Sequence, residues 1–214
     1  MSIRTTVGEI VTAEYNNFCA ESFELNQAPP LGGLVVADGV VGLLYSVHTE
    51  RLGDSRRKGD GTGDEDAVYK QHPELKFILR TQFTSLCLGC YDGLRPQHFY
   101  PERPPRIHYP VYLLAESELL TFTAKPTYLR AALNANEPSV DQAIIRLLYK
   151  GYQLRGAEAG WAYLLDASEF LGRLLKGQYN RLLAILETLE EVIGDEQPAQ
   201  RTEIVRGVGN LLNV

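Results

Sequence analysis

The sequence predicts an α+β chain, a small antiparallel β-barrel followed by a C-terminal α-helical domain. Three observations carry this. Up to about residue 50, apolar residues alternate or run in short bursts between Gly-, Pro- and Asn-rich turns. A segment with five prolines, Arg95–Pro110, then interrupts regular structure. From about Val111 onward, apolar residues recur at helical spacing. The expected domains are a barrel over 1–110 and an α-helical domain over 111–214.

In "TVGEIVTAE" Val7, Glu9 and Val11 share one face, and Gly8, Ile10 and Thr12 the other, as a strand requires. "NNFCAESFEL" is a second strand after an Asn-Asn turn. "APPLGG" is a loop by its Pro and Gly content. "LVVADGVVGLLYSV" is two strands joined at Asp38-Gly39, a strong hairpin signal. Residues 51–66, "RLGDSRRKGDGTGDED", are polar and Gly-rich, and a mobile loop is expected there. "AVYKQHPELKFILRT" predicts a short helix whose later part starts near Pro73, and residues 82–92 return to strand. The Pro-rich segment is expected to be largely extended, because each proline fixes its own φ and restricts the residue before it.

In the second half, Glu116–Thr123 and Tyr128–Ala135 are short helical candidates. Ser139-x-x-Gln142 is a capping box opening a helix with Val140, Ala143, Ile144, Leu147, Leu148 and Leu154 on its apolar face. A second long helical stretch covers Glu158–Ile193, interrupted near Gly172 or Gly177. Within it Leu171, Leu175, Gln178, Leu182, Ile185, Leu189 and Val192 follow 4-3-4-3 spacing. That stripe suits either a seam between chains or packing inside its own domain, and the second is preferred.

Bulk composition narrows the function classes. The 214 residues carry a net charge of −6. Each half stands at −3, with 11 Lys/Arg against 14 Asp/Glu before Val111 and 10 against 13 after it. Neither half offers the basic field of a nucleic-acid surface. No apolar run approaches a membrane span and no apolar leader follows "MSIRTTVGEI". With three cysteines and no leader, a cytoplasmic protein with reduced thiols is expected.

Cys87 and Cys90 in "TSLCLGCYDG" form a Cys-x-x-Cys pair. On a strand, Phe83, Ser85, Cys87 and Gly89 share one face, and Leu86, Leu88 and Cys90 share the other. The two sulfurs then point to opposite sides, so packed strand thiols are preferred over a metal knuckle. The metal alternative would draw Cys87, Cys90, His98 and His108 together as four ligands. "GDGTGDED" fails the EF-hand spacing, with Glu65 where Gly is needed and Gln71 where Glu is needed. No Gly-x-Ser-x-Gly elbow is present, and the four histidines lie apart in the sequence, so no catalytic residue, cofactor or enzymatic activity is expected. In the Pro-rich segment Arg95, Arg103 and Arg106 alternate with Phe99, Tyr100 and Tyr109. These six residues are the candidate partner-binding set, for a protein contact or, alternatively, for stacked bases.

The run "VGEIV", "FCAESFEL", "PPLGGLVVADG", "VVGLLYSV" resembles the HAS barrel, the small β-barrel preceding the motor in HerA-type DNA translocases and in ATP synthase subunits. The matching features are Gly8, Gly32-Gly33 and Gly42. "SLCLGCYDG" looks like its closing strand, and "PPRIHYPVYLLAESELLTF" looks like its exit segment. The likeness spans residues 6–123. The family's motor needs a phosphate-binding loop, Gly-x-x-x-x-Gly-Lys-[Ser/Thr], and "LYKGYQ" and "LLKGQY" lack its first glycine and its Ser/Thr. The resemblance therefore implies a barrel without an engine, a non-enzymatic assembly or docking module that binds itself or an ATPase supplied in trans. The alternatives are a single-stranded nucleic-acid-binding barrel and a metal- or thiol-dependent protein using Cys87 and Cys90.

Overall fold

The computed structural model describes residues 5–52, 69, 72–135 and 137–194. Among the described residues there are seven strands: β1 (Thr6–Ala13), β2 (Asn17–Ser22), β3 (Leu34–Ala37), β4 (Val40–Arg51), β5 (Leu79–Tyr91), β6 (Pro96–Gln97) and β7 (Pro110–Leu113). They hydrogen-bond in the order β2-β1-β7-β3-β4-β5-β6, every pair antiparallel. A further ladder between β2 and β5, from Asn17↔Leu86 to Glu21↔Gln82, closes the sheet into a six-stranded barrel with β6 as an appendage. Closure removes the unpaired edges that would otherwise template aggregation.

Side-chain alternation accounts for the two sides of the barrel wall. Ile10, Phe18, Ala20, Val35, Ala37, Val40, Leu44, Phe83, Cys87 and Val111 form the interior cluster, all at 3% exposure or less. The next residues along the same strands, including Leu34, Val36, Val41, Leu43, Leu86 and Leu88, point outward and join a second cluster with the helices. The β3–β4 hairpin turns at Asp38 (φ 50°) and Gly39 (φ 79°), the paired positive φ values that match the twist of flanking strands.

The helices whose bounds are described are α1 (Leu75–Ile78), α2 (Glu116–Phe122), α3 (Leu129–Leu133), α4 (Pro138–Arg155), α5 (Ala157–Leu174) and α6 (Tyr179–Gly194), with a 3₁₀ turn at Pro126–Tyr128. Helix α4 lies against the barrel where the chain leaves the "PPLGG" loop. A Cβ on Gly32 would stand 2.6 Å from Arg146 Cβ and 2.7 Å from the Ala143 carbonyl oxygen, so only glycine admits the helix there. Its φ of 78° also favours glycine. Buried Val140, Ala143, Ile144, Leu147 and Leu148 form the face of α4 that the spacing predicts, with Tyr152 buried beside them and Leu154 half-buried. The described helices include none long and apolar enough to cross a membrane.

Several sequence expectations change. The capping box at Ser139 is not formed: α4 starts at Pro138, two residues before a Ser139 cap would start it, because the fixed φ of proline suits the first helical position, and Glu137 takes the cap without a side-chain bond. Of the helix predicted across "AVYKQHPELKFILRT", the described part after Pro73 is α1, which ends at Ile78 because β5 begins at Leu79 to pair with β4; residues 67, 68, 70 and 71 lie outside the described residues. The long C-terminal stretch breaks at residues 175–178, around Gly177 and not at Gly172. That break divides the 4-3-4-3 stripe between two helices, and Leu171, Leu175, Leu182, Ile185 and Leu189 are buried inside the domain. The sixth barrel strand is supplied by residues 110–113, so the chain leaves the barrel at Leu114. The loop expected at 51–66, with its "GDGTGDED" motif, lies from residue 53 onward outside the described residues; Arg51 itself ends β4.

Candidate functional site

Strand β5 carries the Cys-x-x-Cys pair as an extended segment. Cys87 packs inside the barrel with Phe83, while Leu86 and Leu88 face the helices. Gly89 separates the pair for a steric reason, since a Cβ there would lie 2.0 Å from the Gln97 carbonyl oxygen where β6 crosses. All three cysteines are free. Burial pushes the Cys87 thiol up to about 12, and it raises Cys90 as well. Such thiols are the reverse of an activated nucleophile or a ready metal ligand.

The four-ligand alternative is not assembled. His98 faces the helical domain: its Nε2 donates to the Phe122 carbonyl at 2.9 Å, and its Nδ1 accepts from the Thr127 hydroxyl at 2.5 Å. The carbonyl can only accept, which fixes the tautomer. The ring also meets Phe122 and Tyr128 edge-on, with centroids 4.8 Å and 5.8 Å away. His108 sits at the surface, 2.5 Å from Glu9. Among the described residues no three His, Cys, Asp or Glu converge as a metal site.

The Pro-rich segment, by contrast, is brought together. After β5 the chain turns at Asp92, whose carboxylate accepts the backbone N–H groups of Leu94 and Arg95 at 2.8 and 2.9 Å. Those donors hold the Asp92 carboxyl below the usual range. Further on, Arg106 Nε and Nη2 each donate to Asp38 at 2.8 Å, joining the segment to the hairpin turn. The guanidinium lies 3.9 Å over the Tyr109 ring. This contact lowers the Asp38 carboxyl and raises Arg106, in both cases chiefly through their shared side-chain hydrogen bonds.

Arg95, Arg103 and Arg106 line one cavity of about 510 Å³ with Asp38 and Asp92. Val40, Tyr91, Pro101 and Pro104 add apolar wall. Phe99, 61% exposed, and Tyr100, 38% exposed, are not part of that lining. Leu94 and Ile107 are also exposed. Of the six residues singled out in the sequence, Arg95, Arg103 and Arg106 line this cavity, and Asp38, 68 residues from Arg106, is not among the six. The Asp-Gly turns at 38–39 and 92–93 are the available sequence signal, since each marks where a loop carboxylate can face a neighbouring segment.

Comparison with known proteins finds no matching family model and no similar curated sequence.

Proposed function

We propose that the chain is a non-enzymatic docking module, a HAS-barrel-like unit that binds itself or an ATPase supplied in trans through the Pro-rich surface. One observation carries this reading. The 94–109 segment is tied to the barrel through Arg106–Asp38 and to the helices through His98, yet it presents Leu94, Phe99, Tyr100 and Ile107 to solvent. Large apolar side chains that are exposed on a segment held in place suit a partner surface, because little backbone entropy is lost on binding. Arginine among aromatics is also the composition enriched at protein interfaces. The free thiols Cys19, Cys87 and Cys90 fit a reducing, cytoplasmic setting.

The test compares affinity purification of the full chain with that of the Phe99→Ala/Ile107→Ala variant, followed by light scattering of each. The expected result is an ATPase, or a second copy of the chain, that co-elutes with the natural sequence and is lost with the variant. Identical co-eluting proteins and identical mass for both would overturn the reading.

Single-stranded nucleic acid is the second reading, favoured by exposed Phe99 and Tyr100 beside Arg95 and Arg103. It predicts binding that weakens steeply with salt. No retardation of single-stranded DNA or RNA at low ionic strength removes it.

A further inference from the structure

The cavity between the Asp38-Gly39 hairpin and the Pro-rich segment is lined by residues other than the exposed Leu94, Phe99, Tyr100 and Ile107. We propose that this cavity is a binding site for a small organic oxyanion, a carboxylate or phosphate monoester carried on a compact apolar body. Its volume of about 510 Å³ falls within the small-molecule range of roughly 300–1,000 Å³.

The charges lining it select the ligand's sign. Arg106 is engaged by both oxygens of Asp38. Asp92 is occupied by two backbone N–H donors, and Arg95 lies close enough for its charge to act on that carboxyl. Those four groups offset one another in two pairs. Arg103 remains: it lines the cavity, and among the described residues it has neither a hydrogen-bond nor an ion-pair partner. With three arginines against two aspartates the lining carries one net positive charge, which disfavours a cation, and a neutral ligand gains no charge-assisted bond from Arg103. A planar or tetrahedral oxyanion takes two parallel N–H bonds from the guanidinium fork.

The rest of the wall selects the ligand's body. Val40, Pro101, Pro104 and the Tyr91 ring are apolar, the two prolines offer no N–H, and Gly39, Cys90 and Gln97 complete the lining. Pro101, Pro104 and Pro105 fix φ through the segment that carries Arg103, so the site is largely shaped before the ligand arrives. The chain's net charge of −6 supplies no long-range attraction for a polyanion. Recognition is local and suits a single anionic group better than a nucleic-acid backbone.

The test is a titration of the full ¹⁵N-labelled chain followed by two-dimensional NMR, and it requires no protein partner. It can therefore fail while the docking reading stands, and the reverse. The probes are 3-phenylpropionate, phenyl phosphate and neutral 3-phenylpropanamide. The expected result is saturable shifts at the Gly39, Asp92, Arg95 and Arg103 amides with at least one acid, at millimolar or lower concentration. The tighter acid identifies the oxyanion. The neutral amide binds at least about tenfold more weakly, as does either acid to Arg103→Gln, because the charge-assisted pair is lost. Arg130→Gln, on α3 and outside the cavity, leaves binding unchanged. Absence of saturable shifts with both acids up to about 20 mM, or equal binding of the neutral amide, would overturn the assignment.

Discussion

Gly89→Ala adds one methyl group at the point where β6 crosses β5. Its Cβ would stand 2.0 Å from the Gln97 carbonyl oxygen, 3.0 Å from that carbonyl carbon and 3.1 Å from His98 Cα. All three are backbone atoms, so no rotamer change relieves the clash. Either β5 bends or β6 lifts away, giving up the pairing of Cys90 with Gln97 and Tyr91 with Pro96. Overpacking costs about 1–3 kcal/mol and each lost ladder bond about 1 kcal/mol. The expected loss is therefore about 2–4 kcal/mol, roughly 5–15 °C in Tm for a chain of this size. The control is Gly177→Ala, which meets no heavy atom within 4 Å. It is expected to stay within about 0.5 kcal/mol of the natural chain. Urea unfolding followed by circular dichroism measures both. A Gly89→Ala loss below about 0.5 kcal/mol, or an equal loss for the two variants, would refute the steric account of the Cys-x-Gly-Cys spacing.

Three further outcomes are expected. The buried hydroxyls of Tyr128 and Tyr163 lie 2.7 Å apart, so Tyr163→Phe strands the Tyr128 hydroxyl at a cost of about 1–2 kcal/mol, whereas Tyr128→Phe costs less because Thr123 still partners Tyr163. The double variant costs less than the sum, and additive losses in the cycle would deny the bond. Arg181 donates to Asp141 through Nε and Nη2 and to the Ala135 carbonyl, with its side chain 13% exposed. Arg181→Ala is expected to cost about 2–3 kcal/mol, less than the roughly 3–5 of a fully buried pair, and a loss under about 1 kcal/mol in urea unfolding counts against it. Burial lowers the His98 pKa from 6.5, helped by Lys125. The unfolded chain then binds more protons in that window, so stability is fully present above 6.5 and declines as pH falls towards the lowered folded-state value. His98→Gln flattens the slope of unfolding free energy between about pH 7 and 5, and an unchanged slope removes His98 as its source.

The elements legible in the sequence are those fixed by short-range periodicity. Alternation at Gly8 and Ile10, the Asp38-Gly39 turn and the apolar face of α4 each depend on neighbours a few residues away. The opposed faces of Cys87 and Leu88 follow from the same rule. Long-range closures are less legible. The β2–β5 ladder joins residues 17–21 to 82–86 across the whole barrel, and no local pattern specifies that partner. The cavity has the same character. Its arginines stand out in the Pro-rich segment, but pairing Arg106 with Asp38 leaves Arg103 free, and that pairing exists only once the hairpin meets the segment in space. The capping box failed because two start signals compete one residue apart, and Pro138 prevails over Ser139.

The covered side of the barrel bears directly on how such a module can assemble. In the resembled proteins, barrels pack side by side around a motor. Here the outward residues of β3, β4 and β5, Leu34, Val36, Leu43, Leu86 and Leu88, are already buried in one cluster with the helices. Opening that face to admit a second barrel would strip the helices of their support, at about 25 cal/mol for every Å² of apolar surface returned to water. Under the proposed docking role, a neighbour would approach elsewhere. The Pro-rich segment meets that condition: it lies beside the Asp38-Gly39 hairpin tip, is held to both halves of the chain, and leaves Phe99 and Ile107 uncovered. Docking there requires no rearrangement of the barrel–helix core, so the packing that stabilises the chain and the surface proposed for its partner do not compete.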